Sequence, residues 1–286
     1  MKNGKGLVKE YDYNDKLSFE GEYLNGEKNG KGKEYDPNGN LIYEGEFLNG
    51  KRNGIGKLYD CKLRYEGKFL YGFAIKGKLY VNEKLEYEGE YLYNKKWNGK
   101  GYDENGNIKY ELINGYGHIR EYNNLGQLLF EGECINGKTY KGIGIEYNNT
   151  GEVIYKGECL NGKRNGKGKE YYNDGKLKFE GEYLNGERNG KGILYYEYSD
   201  QIQFKGEYLD GKRHGKGREY DYDGKLQFEG EYKNGERNGK GKEYWDNGEL
   251  KFKGEYLNGK KNGKGKKYNR HGELRFKGEY LNGKRI

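Results

Sequence analysis

The chain has 286 residues, of which 32% are hydrophobic and 35% charged, and its formal net charge is +8. Such a polar composition excludes a large apolar core, while an aromatic content of 16% argues against intrinsic disorder. No apolar run approaches the roughly 18 residues of a membrane-spanning helix, so the sequence predicts none.

A repeat of about 24 residues runs along the whole chain. Its first anchor is an aromatic residue followed by a glycine between two charged residues, and the second is G-x-G followed by tyrosine, as at Gly30, Gly32 and Tyr35. A fixed period of this length predicts one supersecondary unit stacked on itself, in a single array of about twelve units over residues 1–286. The first anchor begins at Phe19, Tyr43, Tyr65, Tyr87, Tyr110 (a degenerate copy), Phe130, Tyr155, Phe179, Phe204, Phe228, Phe252 and Phe276.

Each unit has the pattern of a β-hairpin, illustrated by residues 166–189. Residues 176–183 alternate, with aromatic residues and glycine on one side and charged residues on the other, which predicts a strand. Residues 168–171 predict a second, shorter strand, and the Asn-Gly and Asp-Gly dipeptides predict the turns. We therefore predict an all-β fold, an elongated, twisted, single-layer antiparallel meander of tandem hairpins. The residues expected to have structural roles in the repeat are Gly166, Gly168, Phe179, Gly181, Tyr183, Phe252, Gly254 and Tyr256.

The repeat resembles a known family. Residues 43–56 read YEGEFLNGKRNGIG, which is similar to the MORN repeat, and the D-G or N-G turn followed by x-L resembles the variant MORN repeat. The resemblance covers essentially the whole chain. It implies a scaffold, an assembly platform or a membrane-associated module, with phospholipid binding as a recurring proposal for the family.

The sequence does not contain the side-chain groupings that catalysis needs. Its three histidines, His118, His214 and His271, are far apart in sequence, and no serine lies in a nucleophile-elbow context. The paired glutamates recur in every unit, which indicates a structural role. We therefore expect no enzymatic activity, no metal and no cofactor.

Residues 69–118 depart most from the repeat and form a degenerate region within the array. Where other units have a polar turn, this region has the apolar sequence FLYGFAI at 69–75. An exposed apolar turn favours contact with a partner protein, whereas repeat decay with local repacking is the alternative. The candidate partner or membrane contacts are Phe69, Leu70, Tyr71, Phe73, Ile75 and Trp97.

The C-terminal end is strongly basic, because residues 247–286 contain 12 lysines or arginines and 4 acidic residues. Basic turns also recur along the chain, as at Lys51-Arg52 and Lys163-Arg164. Such residues favour an anionic partner, although a solvated surface is the simpler interpretation. The candidate anion contacts are Lys260, Lys261, Lys264, Lys266, Lys267, Arg270, Lys284 and Arg285.

Taken together, these patterns favour a non-catalytic scaffold that mediates protein–protein interaction, with an unidentified protein partner. The alternative is a peripheral membrane adaptor that binds anionic phospholipid through the basic turns and the C-terminal tip. Nucleic acid ranks third, because no stacking module or groove-reading helix is present. The aromatic face of a single-layer sheet lacks a covering layer, so it is expected to stay wet, to pair with a second copy as a homo-oligomer, or to hold a partner. Three cysteines without a disulfide pattern fit a cytoplasmic location, membrane-peripheral in the alternative.

Overall fold

The computed structural model describes residues 4–286, which form twenty-five β-strands and no helix. No helix that could span a membrane is therefore present in this described part. The chain divides into two compact units, one ending at Lys141 and the other running from Gly142 to Ile286, here called unit 1 and unit 2. That one uninterrupted array covers the whole chain stays a prediction.

Unit 1 contains β1 to β12, and β13 includes the boundary. Each of the first twelve strands pairs antiparallel with its neighbour in the chain. The predicted class, an all-β meander of tandem hairpins, is confirmed. The strands are β1 Lys5–Tyr11, β2 Leu17–Leu24, β3 Glu27–Tyr35, β4 Leu41–Leu48, β5 Lys51–Asp60, β6 Lys62–Leu70, β7 Phe73–Val81, β8 Lys84–Leu92, β9 Lys95–Tyr102, β10 Ile108–Ile113, β11 Tyr116–Tyr122, β12 Leu128–Ile135 and β13 Lys138–Tyr147.

Unit 2 repeats the same arrangement more regularly, with antiparallel pairing between consecutive strands from β14 to β25. Its strands are β14 Val153–Leu160, β15 Lys163–Tyr171, β16 Leu177–Leu184, β17 Glu187–Tyr195, β18 Ile202–Leu209, β19 Lys212–Tyr220, β20 Leu226–Lys233, β21 Glu236–Tyr244, β22 Leu250–Leu257, β23 Lys260–Tyr268, β24 Leu274–Leu281 and β25 Lys284–Arg285.

In the hairpin of β15 and β16, Gly168 lies opposite Gly181 and Lys169 opposite Glu180. The first strand of this hairpin is longer than predicted, because it begins at Lys163 instead of Gly168. Pairing with β14 continues through a register shift, and Gly166 in this segment adopts a φ of 92°. This left-handed conformation suits glycine, so the polar residues before the G-x-G anchor stay in the sheet.

One face of each hairpin packs its aromatic ring onto glycine backbone. The ring of Phe179 is fully buried and lies over Gly181 and Gly192, where an added Cβ atom would come within 2.7 and 2.4 Å of it. Its centroid is 5.7 Å from that of Tyr183 and 5.2 Å from that of Tyr208, both edge-to-face. The glycines are therefore required by ring packing, and the core of each unit is a row of interlocked aromatic rings.

The degenerate region keeps the hairpin pattern but loses part of its ladder. Strand β10 has six residues, and it pairs with β11 at only two positions, Leu112 with Gly117 and Ile113 with Tyr116. A short ladder provides less backbone hydrogen bonding, so side chains must do more to hold this part of unit 1 together.

Candidate interaction surfaces

Basic side chains cover the aromatic face. The guanidinium carbon of Arg188 lies 4.0 Å from the ring centroid of Phe179, and that of Arg237 lies 4.1 Å from that of Phe228. Lys261 stands 4.3 Å from the centroid of Phe252 in the same way. Cation–π contact and the burial of the aliphatic stem both favour this position. The same arrangement places Lys28 on Phe19, Arg52 on Tyr43, Arg164 on Tyr155, Arg213 on Phe204 and Arg285 on Phe276.

Carboxylates on the same face hold these cations in place. Glu170 accepts hydrogen bonds from Nε and Nη2 of Arg188 at 2.9 and 2.6 Å, and from the hydroxyl of Tyr183 at 2.8 Å. Burial alone raises the pKa of Glu170, but the hydrogen bond from Arg188 and the charge of that residue outweigh burial and lower it. The carboxylate is therefore ionised at neutral pH and fixes the arginine over the ring.

This cover changes the interpretation of the aromatic face and of the basic turns. We expected the face to lack a covering layer, but in unit 2 each ring lies under the basic residue that stands second after a turn, as Arg188 lies over Phe179. Long cationic side chains thus act as the covering layer, whereas pairing with a second copy or with a partner stays a prediction. The first residue of each basic pair, such as Lys163 or Lys212, remains exposed, and in the last pair Arg285 is exposed as well.

The apolar residues predicted around the degenerate turn separate in the structure. Phe69 is 2% exposed and packs edge-to-face on Tyr65, so it belongs to the core. Ile75 and Trp97 are half-buried. Leu70, Tyr71 and Phe73 are exposed at the turn between β6 and β7.

Two neighbouring turns extend this exposed set. The backbone N–H of Ala74 donates to Oδ1 of Asn94 at 2.7 Å, and the N–H of Gly115 donates to the carbonyl of Trp97 at 2.8 Å, which places three turns side by side. Sequence reasoning missed the contribution of the second and third turns, although Tyr93 replaces an asparagine and Tyr116 a charged residue of the repeat. Leu92 and Ile113 stand where regular repeats also have an exposed leucine. Together the three turns form what we call the apolar edge: Leu70, Tyr71, Phe73, Leu92, Tyr93, Ile113 and Tyr116.

Two tyrosines of the apolar edge occupy a backbone conformation that suits other residues better. Tyr71 and Tyr93 have φ values of 48° and 49°, and the matching residue of the preceding unit, Asn49, has 49°. Asparagine tolerates the left-handed region, whereas a bulky side chain is rare there. The fold alone therefore does not explain aromatic residues at these positions, of which Tyr93 is 72% exposed.

A buried polar cluster lies beneath the degenerate region, and the sequence did not reveal it. The ammonium of Lys96 lies 2.8 Å from the carboxylate of Glu86 and donates to the carbonyl of Arg120 at 2.7 Å. The hydroxyl of Tyr110 donates to the same carboxylate at 2.7 Å. Lys96 and Glu86 are both buried, so each satisfies a charge that would otherwise be unfavourable in the interior. The cluster links β8, β9, β10 and β11 where the ladder is shortest.

The predicted anion contacts near the C-terminus do not converge on one site. Lys261 and Arg285 cover aromatic rings, and Arg270 pairs with Asp246 at 3.3 Å. Lys267 lies on the aromatic face between Phe252 and Phe276. The remaining four are exposed, Lys260 and Lys284 beside turns and Lys264 and Lys266 on the opposite face of the sheet.

The face opposite the rings carries a groove in each unit. In unit 2 the groove has a volume of about 1160 Å³, and in unit 1 about 760 Å³. Each is floored by the strand glycines and walled by the charged residues on either side of them. No grouping of three or more histidine, cysteine or acidic residues within 4–286 is arranged to hold a metal ion.

Comparison with known proteins identifies the repeat. The MORN repeat family matches residues 19–41, 43–62, 179–197, 228–249 and 252–272. The MORN repeat variant matches residues 5–25, 98–113, 164–185 and 213–234. These nine segments lie in both units, and the count of twelve repeats is approximate. The search of curated proteins gave no match.

Among the solved structures that align with the chain, the following two show how low the similarity is. The crystal structure of TcdB2-TccC3-Cdc42 shares 10% sequence identity. The alignment covers 96% of this chain and 19% of the other, with a TM-score of 0.23. The structure of the Photorhabdus luminescens Tc holotoxin pore with the TccC3 D651A mutation shares 12% sequence identity. The alignment covers 94% of this chain and 17% of the other, with a TM-score of 0.15. The chain thus spans less than a fifth of these two chains, and TM-scores this low indicate no shared fold. The family matches carry the assignment, and the chain belongs to the MORN-repeat proteins.

Proposed function

We propose that the chain is a non-catalytic scaffold that binds a protein partner through the apolar edge of unit 1. The observation that carries the proposal is the exposure of Tyr71 and Tyr93 at backbone positions where other repeats have asparagine. Exposed aromatic residues on a rigid support are typical of binding hot spots, because they bury much area at little cost in side-chain entropy.

The shape of the edge supports a protein partner. Its three turns are joined by one hydrogen bond from a backbone N–H to the Asn94 side chain and one between backbone groups, so the apolar side chains are presented on a pre-organised surface. Phe73 and Tyr93 already pack edge-to-face with centroids 5.9 Å apart. A partner with an apolar helix or loop would add to this cluster without rearranging the sheet.

Site-specific photo-crosslinking in cells tests the proposal. A benzophenone amino acid in place of Tyr93 should give a discrete adduct with one partner, identified by mass spectrometry. The adduct should weaken strongly when Phe73 is replaced by lysine, because the preceding unit has a lysine, Lys51, at the matching position. The control carries the same probe at Tyr198, an exposed tyrosine of unit 2 with a φ of 66°. The same adduct from Tyr198, or no effect of Phe73→Lys, would overturn the proposal.

A second candidate is a peripheral membrane adaptor, favoured by the exposed Lys260 and Lys284 beside the last turns. Their side chains point to solvent, where they can contact anionic headgroups, whereas the neighbouring Lys261 and Arg285 lie over aromatic rings. Co-sedimentation with anionic vesicles that is lost in Lys260→Glu/Lys284→Glu and absent with neutral vesicles would support this role. Equal sedimentation of the variant would exclude these turns.

A further inference from the structure

One wall of the unit 2 groove has a run of positive charges that the hairpin fold does not require. Along one wall, consecutive strands place Lys242, Lys253, Lys266 and Lys277 next to one another, and we call these the lysine row. Lys253 faces Lys266 directly, and Lys266 faces Lys277. Side chains opposite each other on neighbouring strands are only about 4.5–5.5 Å apart at Cβ, so like charges there are unfavourable.

The ammonium groups of the lysine row are largely uncompensated. Lys242 pairs with Glu229 at 2.7 Å. In the part of the chain that the structure describes, no carboxylate lies within ion-pair distance of Lys253, Lys266 or Lys277. These three side chains are exposed to solvent at the wall of the groove.

Unit 1 shows that the same wall can be built with balanced charge. There, the residues that flank the strand glycines on this wall alternate between lysine and glutamate from strand to strand. Lys9 and Glu20, for example, form an ion pair at 3.7 Å. The basic run in unit 2 is therefore not imposed by the hairpin stack. The alternating series is Lys9, Glu20, Lys33, Glu44, Lys57, Glu66, Lys78, Glu88, Lys100 and Glu111.

The opposite wall of the unit 2 groove restricts what can bind. It alternates in sign, with Lys240 facing Glu255 and Lys264 facing Glu279. A bilayer surface or a nucleic-acid strand presents phosphates across a width that would cover both walls and meet these carboxylates. An extended peptide sends alternate side chains to opposite sides, so it can present acidic groups to one wall only.

We propose that the unit 2 groove binds an extended acidic segment of a protein partner, with its carboxylates on the lysine row. The four lysines span three strand spacings, about 14 Å at ~4.8 Å each. Three acidic residues at alternate positions of an extended peptide cover about 13 Å, which matches this length. The proposal deepens the scaffold function and rests on it, and it uses a surface separate from the apolar edge.

Fluorescence anisotropy with a designed peptide tests this inference on the full chain. The probe is a short fluorescein-labelled peptide with glutamate at every second position and serine between, and the control peptide has glutamine instead. The decisive variant is Lys253→Glu/Lys277→Glu, which restores the alternation seen in unit 1. We expect binding of the glutamate peptide that weakens with salt, and a loss of about tenfold or more in the variant.

The variant is designed to remain folded. A glutamate at position 253 would stand where Glu229 stands one repeat earlier, and Glu229 accepts a hydrogen bond from Tyr244 at 2.8 Å. Tyr268 occupies the matching place for position 253, and removing like-charge pairs favours the sheet. The melting temperature should therefore not fall while peptide binding does.

A matched control separates the groove from net charge. Lys260→Glu/Lys284→Glu changes the charge by the same amount outside the groove and should alter peptide affinity by less than about twofold. An equal loss in this control, binding of the glutamine peptide, or binding only to oligothymidylate or anionic vesicles would overturn the proposal. The crosslinking test at Tyr93 is independent of both variants, so failure of the groove and failure of the apolar edge are distinguishable.

Discussion

Replacing Phe228 by alanine should reveal how much stability one ring of the aromatic row provides. The ring is fully buried, with centroid distances of 5.6 Å to Tyr232 and 5.3 Å to Tyr256, and Arg237 covers its outer face. Truncation removes these contacts and leaves a cavity above Gly230 and Gly241, which have no side chains to fill it. Buried Phe→Ala substitutions cost about 3–5 kcal/mol, and we expect this one within that range.

Two further variants make the prediction specific. Phe276 is only partly buried and, among residues 4–286, has one ring partner, Tyr280 at 5.4 Å, so Phe276→Ala should cost about half as much as Phe228→Ala. Phe228→Tyr should be nearly neutral, because Tyr155 occupies the same repeat position and donates its hydroxyl to the carbonyl of Glu158 at 3.2 Å.

Urea denaturation followed by the fluorescence of Trp245 measures the effect within unit 2. A Trp97→Phe background, used for all variants and the reference, removes the other tryptophan. Hydrogen exchange resolved by mass spectrometry then shows whether the loss is confined to strands around Phe228, as expected when stability is a sum over neighbouring repeats. A cost below about 1 kcal/mol, or an equal cost for Phe276→Ala, would refute the ring-packing argument.

Three other outcomes are expected. Tyr93→Asn should raise the free energy of unfolding of unit 1 by about 1 kcal/mol, measured by urea denaturation, because it relieves a left-handed tyrosine. Glu86→Gln should destabilise unit 1 by about 3 kcal/mol in the same assay, since it leaves the buried ammonium of Lys96 without its counter-charge. Burial raises the pKa of Tyr43 and Tyr35 to about 12. Because these phenols stay neutral in the folded state while the unfolded chain ionises near pH 10, the stability that they contribute should be constant below pH 10 and be lost between pH 10 and 12. A denaturant midpoint unchanged across that range would contradict the last expectation.

The sequence was sufficient to predict the hairpin, because strands and tight turns depend on local patterns. Alternation in β16 and the Asn185-Gly186 turn, with φ values of 52° and 102°, are confirmed as predicted. Glycine opposite glycine follows from the same pattern once the turns are fixed. The repeat itself strengthens the inference, since each copy supports the assignment of the next.

The cover of the aromatic face could not be predicted from alternation alone. It depends on the rotamer of a long side chain that follows the turn. Arg188 contacts the ring of Phe179 in one strand and the carboxylate of Glu170 in another. The buried cluster around Lys96 was hidden for a similar reason, because its members come from four strands of a region that breaks the pattern. Comparing positions across repeats would have revealed the apolar edge, since Tyr71 and Tyr93 stand in the column of turn asparagines.

The arginines over the rings have a consequence for how such a chain can change in length. In unit 2 each hairpin has its own ring, the glycines on which that ring packs and a cation that covers it, as Phe204 has Arg213. A duplicated hairpin therefore inserts into a unit without uncovering its neighbours and without any change elsewhere in the chain. Length then becomes a trait that recombination can adjust in steps of one hairpin pair, and the surface available to partners grows or shrinks with it.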